Sequence, residues 1–492
     1  MTGTAPTSSL AGTAASGAIV MLGAQGAKII LQLASVVVLS RMLDPHDYGL
    51  IAIVLIVIGV GEIFRDFGLT AASVQAPEVT RGQRDNLFWV NTVIGAVLAA
   101  LVWCLSWSIS SMSGESELLG MLQVLCVVFL INGMTTQYRA QLMRALKFRA
   151  LAMIEVIAAA IALSTAISFA AAGAGHWALV AQQLASPIVG LIASAIAGRW
   201  LPHWYSRASA VRPFLRLGWN LALANLLSYG AAQIDTIVVA VRFGAAPLGL
   251  YNRACQLVTT PLTQVRTPLS SVAIPILSRI QSDKQRFDSF VTSGQLALGY
   301  ALGIPLLLLA GLAEPVVRIA LGAQWGEAAP ILRMFAIAGT LTTLSFVGYW
   351  IYVSRGLGSQ LMRYTTVSTC IRATCILVGS FFGLVGVAIG FAAAPALAWP
   401  ISLFWLSRVT DVPVRSLYGG ALRILGVAGL AGVVSWCASL SLESYPWVAI
   451  TAGVLSGLAS CLPFLLLRVY RADARRLMQF AKLMTRRDKQ AA

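Results

Sequence analysis

The sequence contains few of the residues that enzymes use for chemistry. It has only three histidines, at positions 46, 176 and 203, and their wide separation gives little support to a histidine metal site or a catalytic triad. No Walker A sequence for binding nucleotide phosphates is present. The seven cysteines lie in apolar runs without CxxC spacing, so we interpret them as small core hydrophobes. We therefore expect no metal ion and no cofactor, and an enzyme is a minor alternative.

Charge is also scarce, since Asp, Glu, Lys and Arg make up 11% of the chain, against roughly 25% in soluble domains. What is abundant is apolar sequence, in runs of about 20 residues, the length with which a helix crosses a bilayer core of ~30 Å. We therefore predict an all-α integral membrane protein with about 14 transmembrane helices. The runs are 17–39, 49–66, 87–109, 119–137, 151–172, 177–197, 217–240, 250–275, 290–312, 330–353, 363–382, 386–407, 419–440 and 447–467.

Lysine and arginine are concentrated in every second gap between the runs. With the N-terminus placed in the cytoplasm, the inner gaps, the adjoining ends of the runs and the C-terminal tail hold 26 of the 35 cations, and the outer gaps hold only Arg41, Arg242 and Arg318. Cytoplasmic loops carry such an excess, so we predict that both ends are cytoplasmic. This topology accounts for most of the net charge of +17 without a nucleic-acid partner. The first 16 residues lack the cations of a signal peptide, so we expect the first helix to remain.

Three pairs of segments repeat in the same order at offsets of about 200 to 211 residues. They are 36–53 with 237–254, 64–77 with 265–275, and 142–156 with 353–367. Many transporters consist of duplicated halves. The predicted organisation is therefore a cytoplasmic tail (1–16), a first six-helix half (17–197), a cytoplasmic linker (198–216), a second six-helix half (217–407), two additional transmembrane helices (419–467) and a basic cytoplasmic tail (468–492).

Charged residues within the first two runs are candidates for function, because a charge at the centre of a membrane helix costs ~2.5–3.5 kcal/mol on insertion scales. In the first run, spacings of three and four place Gln25, Lys28 and Gln32 on one helix face, which we expect to be turned to the interior. In the second run, Glu62 has Arg65 and Asp66 as helical neighbours, which predicts a local ion-pair cluster.

The seventh and eighth runs carry a comparable set, comprising Asn225, Asp235, Arg253, Gln264 and Arg266. We expect Lys28 and Arg266 to face a wet cavity, whereas Arg333 and Arg372 are expected to snorkel from helix ends. Arginine suits a phosphate because its planar donors bind two oxygens at once. Two alternatives remain open. The polar groups could serve only to pack helices together, and Glu62, Asp66 and Asp235 could either couple transport to an ion or simply balance Arg65.

Four segments, 40–75, 175–183, 235–281 and 322–333, resemble bacterial polysaccharide flippases, the polysaccharide transporter branch of the multidrug/oligosaccharidyl-lipid/polysaccharide superfamily. The resemblance runs to about residue 410 and looks closest to the colanic-acid and succinoglycan exporters. It is carried by sequences such as SRMLDPHDYGL (40–50), GHWALVAQQ (175–183) and GAQWGEAAPILR (322–333). The fourteen predicted helices and the repeat agree with the fold of that family.

This resemblance implies a transporter in the bacterial inner membrane. Its substrate would be an oligosaccharide linked to undecaprenyl diphosphate, destined for exopolysaccharide or lipopolysaccharide. Arg65 and Arg266 match the family's cavity arginines best, Lys28 and Arg253 match less well, and these four would bind the diphosphate. Gln25, Gln32, Asn225 and Gln264 would line the path of the sugar. Coupling to H⁺ or Na⁺ and contact with polymerase or co-polymerase proteins are also implied, and membrane lipids are expected partners.

Three other functions stay open at this stage. A multidrug or small-molecule exporter of the same superfamily would be expected to line its cavity with acids and aromatic residues. A flippase for a lipid-linked peptidoglycan precursor would have similar cavity chemistry to that predicted here. A membrane glycosyltransferase or polymer ligase, which is a different class of protein, would depend on carboxylates in the outer loops.

Overall fold

The structure is a computed structural model that describes residues 7–66, 80–204, 225–442 and 444–488, with side chains from 23 to 478. Helices and turns make up the described residues, without a strand. The α-helices are α1 (Thr7–Ser40), α2 (Pro45–Asp66), α3 (Arg81–Ser113), α4 (Glu117–Leu125), α5 (Val127–Arg144), α6 (Phe148–Ala171), α7 (Trp177–Gly198), α8 (Asn225–Ala232), α9 (Ile234–Phe243), α10 (Ala245–Arg279), α11 (Lys284–Gly311), α12 (Ala313–Ala320), α13 (Ala328–Ser354), α14 (Gly358–Gly379), α15 (Gly383–Val409), α16 (Val414–Leu440), α17 (Pro446–Cys461) and α18 (Arg468–Asp488).

Helix covers each of the fourteen apolar runs over its described residues, so the all-α prediction is confirmed. Within the described ranges, eleven segments are long and apolar enough to cross a membrane, or twelve if the bent pair α8 and α9 forms one span. One of the eleven, Gly358–Val409, contains both α14 and α15. The proline-containing α10 is not among them. The count of fourteen spans and the cytoplasmic location of both ends stay predictions.

Two compact units make up the chain. The first comprises Met1–Gln233 and Phe243–Gly249, and the second comprises Ile234–Arg242 and Leu250–Ala492. In the first unit, α3 packs on α5, α6 packs on α7, and α1 lies along α6. In the second unit, α11 lies between α13 and α16, α14 packs on α15, and α17 covers α16. The predicted boundaries of the six-helix halves are not tested by this division.

Glycine lets α3 and α5 approach each other closely within the first unit. A β-carbon on Gly133 would lie 2.5 Å from the carbonyl oxygen of Asn91, and one on Gly95 would collide with the carbonyl of Phe129. The contact is reciprocal, and both obstacles are backbone atoms that no rotamer change can move. Close approach through small residues is how membrane helices gain packing energy without a hydrophobic driving force.

We expect Gly133→Leu to separate α3 from α5 and to destabilise the protein by about 3 kcal/mol, the upper part of the range for overpacked interiors. The measurement is the fraction that remains monodisperse after heating in detergent. Gly190→Leu in α7 is the matched control, since a β-carbon there meets no atom within 4 Å. Equal thermal stability of the two variants would show that the α3–α5 contact is not tight.

Candidate functional site

Arg65, in the last turn of α2, is held by three groups of the first unit. Its Nε donates to Oε2 of Glu62 at 2.6 Å, and its Nη1 donates to the carbonyl of Asn132 at 3.3 Å and to Oγ1 of Thr136 at 2.5 Å. The side-chain amide of Asn132 donates to Oε1 of Glu62 at 2.9 Å. The predicted ion pair of Glu62 with Arg65 is therefore confirmed, and its charges balance.

Arg266 occupies the corresponding place in the second unit, near the middle of α10. Its Nη2 donates to the carbonyl of Gly339 at 3.2 Å and to Oγ1 of Thr343 at 2.7 Å, and its guanidinium lies 5.2 Å from the centre of the Phe346 ring. The side chain is half-buried. No carboxylate pairs with Arg266 among the residues that the structure describes.

The two arginines share one contact scheme. Each donates to a backbone carbonyl and to the threonine hydroxyl four residues later on a facing helix, and in both cases that hydroxyl also donates to the same carbonyl. The scheme repeats at offsets of 201 and 207 residues, close to those of the repeated segments.

The two sites differ in charge. Thr263 stands three residues before Arg266, where Glu62 stands three residues before Arg65, and Gly339 replaces Asn132. Among the described side chains, the second unit thus carries a cation without a paired carboxylate where the first unit carries an ion pair.

Lys28 also has a counter-charge that the sequence analysis did not assign to it. Its Nζ lies 3.4 Å from Oε2 of Glu155 on α6, and the other oxygen of Glu155 accepts from Nη2 of Arg139 at 2.6 Å. Glu155 therefore serves two cations, and the cluster keeps one net positive charge. All three side chains are more than a third exposed, at 45%, 38% and 39% for Lys28, Glu155 and Arg139, so the cluster is accessible to a ligand.

Asp235 lies deep in the second unit, where it is 4% exposed. Its Oδ1 accepts from Nη2 of Arg372 at 2.7 Å, and its Oδ2 accepts from the Tyr251 hydroxyl at 3.0 Å. The prediction that Arg372 snorkels from a helix end is wrong, because the paired carboxylate of Asp235 holds its guanidinium beside α9. The Phe335 ring packs edge-to-face against Tyr251 and against Phe391, and these aromatic rings cover the network.

The remaining predicted site residues lie in varied surroundings, and no observation tests their roles. Arg253 is half-buried and donates from Nη1 to Oε1 of Gln256 at 2.8 Å. Asn225 and Gln32 are exposed, so Gln32 differs from the interior-facing position expected of it. The remaining three candidates have half-buried side chains that take part in polar or electrostatic interactions. They are Gln25, Asp66 and Gln264.

Two histidines that are far apart in the sequence, His46 and His176, lie beside the same group of carboxylates in the first unit. The sequence analysis did not predict this proximity. Nε2 of His46 lies 3.2 Å from Glu115, and Nδ1 of His176 lies 3.5 Å from Glu117 and 3.8 Å from Asp47. His46 and Asp47 lie in the first turn of α2 and Glu117 begins α4, whereas Glu115 and His176 lie in the connections before α4 and α7. Across the described side chains, no group of three or more His, Cys, Asp or Glu residues has the arrangement of a metal site.

Comparison with known proteins identifies the family to which these arrangements belong. A family model described as "Polysaccharide biosynthesis protein" matches residues 38–330, more than half of the chain, including both Arg65 and Arg266. The chain belongs to this polysaccharide biosynthesis protein family. Together with the eleven candidate spans, membership identifies it as a multi-pass inner-membrane protein.

The individual relatives have low sequence identity to this chain, but the alignments extend over most of their length. An uncharacterized membrane protein in the cps region of Klebsiella pneumoniae is 27% identical over 393 residues, which cover 77% of this chain and 79% of that protein. The lipopolysaccharide biosynthesis protein WzxC of Escherichia coli K12 is 24% identical over 409 residues, which cover 80% of this chain and 79% of WzxC.

Among solved structures, the fold is similar to that of the lipid II flippase MurJ in an inward closed conformation. The TM-score is 0.67 at 16% sequence identity, and the match covers 91% of this chain and 99% of MurJ. At this identity the likeness shows the fold alone.

Proposed function

We propose that this protein is a flippase that moves oligosaccharide repeat units linked to undecaprenyl diphosphate across the bacterial inner membrane for exopolysaccharide or lipopolysaccharide synthesis. The observation that carries the proposal is the repeated arginine site, with Arg65 and Arg266 held by the same scheme in two units of a polysaccharide biosynthesis protein. Both the name of WzxC and the fold shared with a lipid II flippase support this function.

Physical chemistry explains why such a substrate needs cations. A diphosphate and many sugar hydroxyls cannot enter hydrocarbon unaided, because the bare charge and the unpaired polar groups are costly there. A guanidinium offsets that cost by donating to two phosphate oxygens at once. In our proposal Arg266 and Arg65 bind the diphosphate in a cationic central cavity, assisted by Lys28 and Arg253. The amides of Gln25, Gln32, Asn225 and Gln264 contact the sugar.

Transport then follows alternating access, in which the binding site opens first to the cytoplasm and then to the periplasm. We propose that a H⁺ or Na⁺ gradient drives the cycle and that Glu62 and Asp66 are the coupling residues. Displacement of Glu62 from Arg65 by the diphosphate would release a carboxylate that can take up a cation. Asp235 has both oxygens engaged, so its contacts favour a structural role. Polymerase or co-polymerase proteins that receive the product are proposed partners.

The test is complementation of a strain that lacks this gene with the wild-type protein or with Arg65→Ala/Arg266→Ala. The two readouts are the leaflet in which lipid-linked repeat units accumulate and the amount of secreted polymer. We expect repeat units to accumulate in the cytoplasmic leaflet, and polymer to be lost unless the wild-type protein is supplied. Arg279→Ala, an exposed arginine on the same helix as Arg266, is the matched control and should restore export.

Other outcomes would assign other functions. Normal polymer export by the double variant at wild-type protein levels would contradict the proposal. Unchanged polymer with altered drug tolerance would favour the multidrug exporter, and accumulation of a peptidoglycan precursor would favour the corresponding flippase.

The enzyme alternative has its own test, since the structure brings together a set of carboxylates and imidazoles at predicted outer loops. A glycosyltransferase or ligase should lose all activity when a single carboxylate such as Glu117 or Glu115 is replaced, and repeat units should then accumulate in the periplasmic leaflet. The flippase proposal expects Glu117→Gln to retain export.

A further inference from the structure

Helix α18 follows the last apolar segment almost without a break. A 3-10 helix, Leu462–Leu466, ends the candidate span Pro446–Leu466, and α18 begins at Arg468. The Nη2 of Arg471 donates to the carbonyl of Leu466 at 2.9 Å, which satisfies a backbone group freed at this junction. The chain connection therefore fixes the start of α18 at the membrane.

One face of α18 packs against the second unit through a buried carboxylate. Asp473 is 3% exposed and accepts from Nε of Arg423 at 2.7 Å and from Nη2 of Arg423 at 3.0 Å. The Tyr300 hydroxyl donates to the same carboxylate at 3.3 Å. Because Arg423 and Tyr300 lie within the candidate spans α16 and α11, α18 rests on the sides of these spans, at the level of the membrane. Leu477, one helical turn further on, packs on the core of this unit.

The opposite face of α18 is a stripe of three exposed arginines, Arg468, Arg471 and Arg475, at spacings of three and four. Asp473 points to the other side and is already paired, and no carboxylate forms an ion pair with these arginines among the described side chains. We call these three residues the arginine stripe. It is an array of exposed cations on the face of α18 opposite Asp473.

We propose that the arginine stripe binds the phosphate groups of anionic phospholipids in the surrounding leaflet. Charge complementarity and position both support this occupant. Guanidinium groups near a membrane surface gain from anionic headgroups, and each can donate to two oxygens of one phosphate. The exposed side chains of Leu466 and Leu467 beside the stripe fit the boundary between acyl chains and headgroups. A transported lipid is a poorer candidate, because the stripe lies on the face of α18 opposite Asp473, which packs against the second unit.

The experiment uses the full-length protein in detergent, titrated with phosphatidylglycerol or with phosphatidylcholine of the same acyl chains, and native mass spectrometry measures the bound lipid. We expect the wild-type protein to prefer phosphatidylglycerol. Arg468→Gln/Arg471→Gln/Arg475→Gln should weaken the tightest binding of this lipid by roughly fivefold for each arginine removed. The preference should also decline as salt concentration rises.

The matched control is Arg279→Gln/Arg363→Gln/Arg415→Gln, which removes the same charge from exposed positions elsewhere in the second unit. It should bind phosphatidylglycerol as the wild-type protein does. Three results would overturn the proposal: no preference for the anionic lipid in the wild-type protein, an equal loss in the control variant, or undecaprenyl phosphate outcompeting phosphatidylglycerol at the stripe. The elution profile of each variant on size exclusion establishes that it is folded.

Discussion

Arg266→Gln is expected to reduce polymer export about 100-fold in the complemented strain. Removing one partner of a desolvated charge pair costs roughly 2–5 kcal/mol, and about 3 kcal/mol corresponds to two orders of magnitude in binding. Arg266 is the sharper target of the two arginines. It lacks a carboxylate partner in the described part of the chain, and its buried Nε has no hydrogen-bond partner there.

The corresponding substitutions at Arg65 and Glu62 test whether Arg65 binds the substrate or only balances the charge of Glu62. Arg65→Gln removes a cation that Glu62 already neutralises, so its effect on export should be smaller than that of Arg266→Gln. Glu62→Gln leaves Arg65 uncompensated, which should strengthen binding of the diphosphate and slow its release. Export should fall with each of these substitutions, by less than with Arg266→Gln.

Two further variants define what Arg266 contributes. Arg266→Lys keeps the charge but cannot hold both Gly339 and Thr343 while donating to two phosphate oxygens, so it should restore only part of the export. Arg279→Gln removes a charge from the same helix at an exposed position and should export normally. Equal export by Arg266→Gln and Arg279→Gln at matched protein levels would contradict the assignment of Arg266 to the substrate.

The sequence was sufficient to predict the helices, because each apolar run matches a bilayer in length and the polar gaps bound it. It also predicted the pairing of Glu62 with Arg65, which are three residues apart on one helix, whereas the roles of Arg65 and Arg266 stay predictions. These successes share a cause, since each rests on local periodicity or on a resemblance of contiguous segments. The sequence repeat at an offset of about 200 residues also corresponds to a repeat in the structure, namely the contact scheme that Arg65 and Arg266 share.

The long-range partners could not be predicted in the same way. Lys28 meets Glu155 across 127 residues, and Arg372 meets Asp235 across 137 residues. Such pairs depend on which helices are neighbours and on their rotation about their axes, and an apolar run specifies neither. We expected Arg372 to snorkel because the sequence alone does not identify a partner for this cation within its membrane helix. The meeting of His46 and His176 at Glu115 and Glu117 was missed for the same reason.

The second large expected effect is a loss of stability when the ion pair of Asp235 with Arg372 is broken. We expect Arg372→Met to destabilise the protein by about 3–5 kcal/mol, because it leaves the buried carboxylate of Asp235 without its cation. Asp235→Asn/Arg372→Met should recover most of this loss, since the double variant buries no charge. The measurement is the thermal unfolding midpoint of the purified variants in a double-mutant cycle. Arg333→Met, which breaks the more exposed pair with Glu314, should cost less than about 1 kcal/mol.

The double variant also decides the role of Asp235. If Asp235 only balances Arg372, the stable Asp235→Asn/Arg372→Met protein should export polymer at the wild-type rate and with the wild-type dependence on H⁺ or Na⁺. A stable double variant without export would instead place Asp235 among the coupling residues. Poor stability of the double variant, equal to that of Arg372→Met, would show that the Tyr251 hydrogen bond needs the charged carboxylate. Export and stability thus distinguish a structural ion pair from a functional one. Removing both charges together should restore stability, but export is lost only if the pair takes part in transport.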